Sequence, residues 1–287
     1  MSAAFPGRAR GFSLVELMVA AAISLVLVAA LTTLFTNMSS SNRELAKTYS
    51  QIENARFAMQ FLENDLVHAG YWGGFIPTFD DLAFQDPITD DPSSWPPSTN
   101  PDYRDPCRPF ANWGTLAGYT DFMLGVPLQV YRNDLSDIDD CTFITNRVAD
   151  TDVLVVRHLE TCVPGDANCD ADNANRLYMQ VSNCEDEIDV GDAYVLANDP
   201  NEFVLRELDC APPSGGTTAA KRRFVQNIYY IQDLDPNGPL EPALVRSRFD
   251  FLPSGTLEQQ TPEVLVEGIE RFRVELGLDG ESETGDA

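Results

Sequence analysis

The chain has 287 residues, 44% of them apolar, enough to bury a sizeable core and too many for a disordered tail. Against 19 basic residues stand 45 acidic ones, and the formal net charge of −26 makes nucleic acid a poor general partner. No Walker A loop, GxSxG elbow, HExxH or Cys–His nucleophile spacing occurs, so the sequence predicts no enzymatic activity.

The first predicted element is an apolar run from Phe12 to Phe35, preceded by Arg8 and Arg10. As a helix it would be about 36 Å long, enough to span a hydrocarbon core of about 30 Å. No positive cluster follows closely, so the N-terminus should stay in the cytoplasm and the rest should be exported. Glu16 sits near the start of the run, although a carboxylate at the centre of a membrane helix costs about 2.5–3.5 kcal/mol. One explanation is an acid that reaches the lipid interface of an ordinary anchor.

The stretch "RGFSLVELMVA" supplies another. It resembles the class III leader of type IV pilins and type II secretion pseudopilins. The resemblance implies cleavage between Gly11 and Phe12 by a prepilin peptidase and N-methylation of the new Phe12 amine, with Glu16 as the fifth mature residue. Buried charges are costly without partners, so pairing of Glu16 with the Phe12 amine of a neighbouring subunit would fix the axial offset of a filament.

The helix is expected to continue past the membrane. Leu45, Tyr49, Ile52, Ala55, Met59, Leu62, Leu66 and Ala69 form one apolar stripe, read as core. Ser39-Ser40-Ser41-Asn42 is a candidate softened joint, and Gly70 a candidate terminator. The segment "ARFAMQFLENDLVHAGYWGGF" is similar to the end of the first helix of PilW-family minor pilins. Arg56, Ala58, Asp65, Leu66, Ala69, Gly70 and Tyr71 carry the likeness, and Val67 departs from the Arg common at that place.

Residues 71–150 read as a loop-rich excursion crowded with Pro and Asp, with Trp95 and Trp113 as anchors to the core and Cys107 as a pin. Strand signals follow in 152–158, 177–182, 193–198, 223–232 and 243–249. Lys221-Arg222-Arg223 reads as a solvated strand edge. Near the end, Phe272, Val274 and Leu276 alternate with charged residues, as one buried strand face requires. Residues 152–157 and "LVEGIERFRVELGLDG" also resemble PilW members, which implies further acidic loop and strand sequence beyond Ala287.

Six cysteines (Cys107, Cys141, Cys162, Cys169, Cys184 and Cys210) lie beyond the apolar run and read as disulfides formed in an oxidising compartment. Cys162–Cys169 is the first pair expected, because Pro164-Gly165 can turn the chain between them; the other pairings stay open. The two histidines, His68 and His158, have no metal-type spacing with the cysteines. Asp233, Asp235 and Asn237 are weak calcium candidates in an EF-hand-like loop. Leu244 stands where the bidentate Glu should be, so a strand turn is the preferred reading. Asp166, Asn168, Asp170 and Asp172 form a second acidic loop of the same kind. No metal or other cofactor is expected beyond that calcium.

The predicted fold class is α+β and type IV pilin-like: a long N-terminal helix, transmembrane in its first half, packed against a mainly antiparallel sheet with long loops. The expected organisation is a leader over 1–11, a transmembrane half over 12–35, an amphipathic half over 36–70, the excursion over 71–150, and a β-rich domain over 151–287. The resemblance implies a minor pilin of an inner-membrane pilus assembly system, with a periplasmic domain and cell-surface exposure after assembly. Its implied partners are other minor and major pilins, the peptidase/methyltransferase, the assembly platform and lipid. A type II secretion pseudopilin and a monomeric membrane-anchored binding protein are the alternatives.

Overall fold

The computed structural model describes residues 13–77, 105–116, 118–132, 141–211, 217–252 and 255–277. Trp95 therefore lies outside the described residues, as do Gly11 and Phe12. One helix, α1, runs Leu14–Leu66 without a break at Ser39–Asn42. The chain divides into two compact units, Met1–Glu53 and Asn54–Ala287, and α1 contributes to both.

The second unit is α+β. Eight strands are described: β1 (Leu128–Tyr131), β2 (Val153–Leu159), β3 (Tyr178–Val181), β4 (Tyr194–Ala197), β5 (Lys221–Asp233), β6 (Pro242–Phe251), β7 (Leu257–Gln259) and β8 (Glu263–Glu267). Two short helices join α1: α2 (Tyr119–Gly125) and α3 (Glu185–Asp189). All described strand pairs are antiparallel, in the order β1-β2-β5-β3-β4, with β6 on β5 and both β7 and β8 on β6.

β5 organises the sheet. It pairs with β2 through Phe224–Tyr229, and on its other edge with β3 through Lys221–Arg223 and then with β6 through Asn227–Asp233. Its middle is apolar on both faces because both faces are covered, which is why the run "NIYYIQ" lacks clean alternation. Ile228 and Tyr230 face Val153, Val155, Ala243, Val245 and the Cys107–Cys141 disulfide. Tyr229 and Ile231 face Leu154, Val156, Leu244 and the α1 residues Ala58 and Leu62. A third cluster joins Trp72, Trp113, Met123, Leu159, Phe224 and Phe249. Trp113 is thus an anchor, as expected, and its indole N–H donates to the Arg108 carbonyl at 2.8 Å.

Three expectations are met only in part or not at all. Of the stripe from Leu45 to Ala69, Leu62 is buried and Ala69 packs beside it, but Leu45, Tyr49, Ile52, Met59 and Leu66 are exposed, and the other buried residues of α1 are Ala58 and Asp65. A small residue and an acid carry no hydrophobic signal, so Ala58 and Asp65 do not stand out in the apolar pattern. The described residues of the 71–150 range include α2, β1 and a 3-10 turn at Phe110–Thr115, while residues 78–104, which hold most of its Pro- and Asp-rich sequence, lie outside the described residues. Lys221-Arg222-Arg223 is not an edge, because it pairs with β3 on one side while the Arg223 carbonyl accepts from Glu160 N–H at 2.9 Å on the other. Finally, Phe272 and Val274 are half-buried as predicted but join no ladder, and Leu276 is exposed. Asp152 fixes that segment instead: its N–H donates to the Phe272 carbonyl at 3.0 Å, and its carboxylate accepts from Val274 N–H at 2.8 Å.

Candidate functional site

The head of α1 carries the chemistry the sequence singled out. Ser13 precedes the helix, and its backbone N–H donates to Glu16 Oε2 at 2.9 Å. Leu17 N–H reaches the Ser13 carbonyl at 3.1 Å, the first bond of the helix. Ser-x-x-Glu at a helix start is a capping box, in which the acid satisfies a backbone donor that the helix leaves free. That signal stands in "SLVE", masked by the apolar run in which it is set. The apolar residues from Leu14 to Phe35 are exposed along α1, and the helix is long and apolar enough to cross a membrane.

The far end of α1 is a second polar site. Asp65 lies in the apolar seam between α1 and the sheet, only 6% exposed. One of its oxygens, Oδ2, accepts from the Tyr229 hydroxyl at 2.6 Å and from the Asn227 amide. The other, Oδ1, stands 3.7 Å from His158 Nε2. Burial alone would raise the Asp65 pKa, but His158, Tyr229 and Asn227 outweigh it and hold the carboxyl below its usual range. Burial of the Tyr229 hydroxyl, next to that carboxylate, pushes its own pKa well up, so it stays a donor.

Just beyond Asp65 the chain turns at Gly70, which has φ +77 and donates its N–H to the Arg157 carbonyl at 3.0 Å. Leu159 N–H then donates to the Tyr71 carbonyl at 2.8 Å, so β2 gains backbone bonds to the stretch that leaves the helix. On the opposite face of β2, the buried Arg157 guanidinium donates to Gln226 Oε1 at 2.5 Å and to the Val126 carbonyl at 3.0 Å. Of the seven residues that carry the resemblance, Ala58, Asp65, Ala69, Gly70 and Tyr71 join helix to sheet, while Arg56 and Leu66 are exposed.

The cysteines form three disulfides: Cys162–Cys169, as first expected, with Cys107–Cys141 and Cys184–Cys210. Two groupings with metal-like donors, Asp105/Cys107/Cys141 and Cys184/Asp186/Cys210, have their sulfurs tied up in these bonds. Asp233 closes the β5–β6 turn, its Oδ1 accepting the N–H groups of Asp235 at 3.2 Å and Glu241 at 3.0 Å. In the other acidic loop, Asp170 pairs with Arg176 and Asp172 with Lys221, both at 2.8 Å. These carboxylates already have protein partners. The remaining cations of the basic run are also engaged: Arg223 on Asp250 at 2.7 Å, and Arg222 on the Thr161 carbonyl.

A family model described as the prokaryotic N-terminal methylation motif matches residues 7–32. That span contains Gly11, Phe12 and Glu16 together with most of the exposed apolar part of α1. No curated protein and no solved structure matches the chain. The motif marks a type IV pilin-like or pseudopilin protein, a structural class of chain, and with the apolar helix it points to membrane anchoring.

Proposed function

We propose that the chain is a minor pilin of the PilW type. It is held in the inner membrane by the first part of α1, with its β-rich domain in the periplasm, and is drawn from there into a type IV pilus. The observation that carries this reading is the methylation-motif match at residues 7–32, a span that contains the Gly11-Phe12 junction and Glu16. The Ala58, Asp65, Gly70 and Tyr71 pattern at the end of α1 supports the PilW type.

In this reading a prepilin peptidase cuts after Gly11 and a methyltransferase modifies Phe12. Glu16 then meets the Phe12 amine of a neighbouring pilin, and two charges that are costly in lipid are paired only at the correct axial offset. Other minor pilins and the major pilin are the partners, on an inner-membrane assembly platform. The filament would serve twitching motility, attachment or DNA uptake.

A type II secretion pseudopilin shares the leader, and gene deletion separates the two. Loss of surface pili with normal secretion supports the pilin reading; lost secretion with normal pili overturns it in favour of the pseudopilin. A monomeric anchored binding protein would leave both intact and would not cross-link to other pilins.

A further inference from the structure

The only two histidines of the chain, His68 and His158, come together at the end of α1 with ring centroids 5.8 Å apart. His158 Nδ1 lies 3.0 Å from the Leu159 carbonyl, which can only accept, so Nδ1 carries a proton. Any second proton must then sit on Nε2. That atom is buried, has no hydrogen-bond partner among the described residues, and points at Asp65 Oδ1. Asp65 Oδ2 is already taken by Tyr229 and Asn227, so Oδ1 is the oxygen left for His158.

Neutral His158 therefore sets one acceptor against another inside an apolar seam, an arrangement that costs free energy. One proton on Nε2 turns the repulsion into an ion pair. We propose that His158 and Asp65 form a proton-operated latch between the end of α1 and the sheet, closed when the imidazole is protonated and slackened when it is neutral.

Among the described residues, few groups face the latch. From the α1 side come Asp65 and, in the turn after it, His68; β2 ends next to Glu160; β5 supplies Tyr229 and Asn227. Behind Tyr229 stands Arg246 of β6, held by Glu263 of β8 at 2.6 Å. Burial disfavours the charged imidazole, but Asp65, the Leu159 carbonyl and Glu160 outweigh it, and His158 titrates above its ordinary 6.5. Asp65 titrates below its ordinary 3.8. A raised histidine contributes stability that is complete below 6.5 and lost as pH rises through the folded value. The lowered acid contributes stability that disappears only as pH falls through its own folded value, below 3.8. The latch is thus fully closed between about pH 4 and about pH 6.5 and opens on the alkaline side.

The test uses the full-length protein in detergent micelles, labelled at histidine, whose two rings give two NMR titrations. One ring is expected to titrate above the ordinary histidine range, and Asp65→Asn should bring that ring back down. Amide hydrogen exchange over residues 54–70, corrected for intrinsic rates, should quicken about tenfold for each unit of that displacement once the pH passes the folded value. His158→Gln should abolish the pH dependence of exchange and His68→Gln should leave it. Two rings titrating at or below the ordinary value, or exchange with the same pH profile in wild type and His158→Gln, would overturn the latch. Because the NMR titration needs only the wild-type chain, a variant that fails to fold does not spare the proposal.

Discussion

The backbone N–H of Ser13 donates to the Glu16 carboxylate at 2.9 Å, so the acid at the head of α1 caps its own helix. The bond is made through a single oxygen, Oε2. An acid that looks expensive in lipid thus has a use inside its own subunit as well as the proposed one between subunits. The two uses draw on different properties. Capping needs an acceptor, which a neutral amide also supplies, whereas matching a neighbour's amine needs the negative charge.

The buried face of α1 can be separated from its apolar-looking neighbour by two truncations. Leu62 packs in the cluster with Leu154, Val156 and Tyr229, and Leu62→Ala should cost about 2–5 kcal/mol. Met59 is 63% exposed, and Met59→Ala should stay within about 0.5 kcal/mol. Denaturant titration of the full chain in micelles measures both. Equal effects would mean that the face was wrongly identified.

Gly70 should resist replacement by alanine. Its φ of +77 disfavours any Cβ, and a Cβ built there would lie 3.2 Å from Pro127 Cγ. Gly70→Ala is therefore expected to destabilise by at least about 1 kcal/mol, with loosened exchange at the Gly70 and Leu159 amides. Gly118, at φ +80 with open space where a Cβ would go, is the matched control for backbone strain alone.

Two of the three disulfides should differ in weight. Cys107 and Cys141 are 34 residues apart and their sulfurs sit in the core under β2 and β5, so Cys107→Ser with Cys141→Ser should cost about 3–5 kcal/mol. Cys162 and Cys169 close a loop of 7, and their loss should cost about 2 kcal/mol. Thermal midpoints of the two double variants, with no reductant added, report the order. A reversed order would put the native-state packing of the two bridges in error.

What the sequence disclosed follows from which forces leave a mark in it. The length of α1 was legible because no proline interrupts it and its apolar stretch is unbroken. β2, β3, β4, β5 and β6 were legible because β-branched and aromatic residues cluster there. β1, β7 and β8 were missed: β7 is three residues long, and β1 and β8 each follow directly on a proline, Pro127 and Pro262, which reads as a turn signal. The Asp65 site was visible only through resemblance. Its partners Asn227, Tyr229 and His158 come from β5 and β2, and nothing local to Asp65 announces them.

The measurement that bears most directly on the whole account is the fate of Glu16→Gln in living cells. Filaments sheared from the surface are probed for this chain, and the intact mass of the membrane-held form is recorded alongside. The account predicts a wild-type chain that has lost its first eleven residues, gained one methyl group and entered the filaments. It predicts a Glu16→Gln chain that is cut and helical but absent from them. Filaments containing as much Glu16→Gln as wild type, or a wild-type chain that keeps its leader, would contradict it.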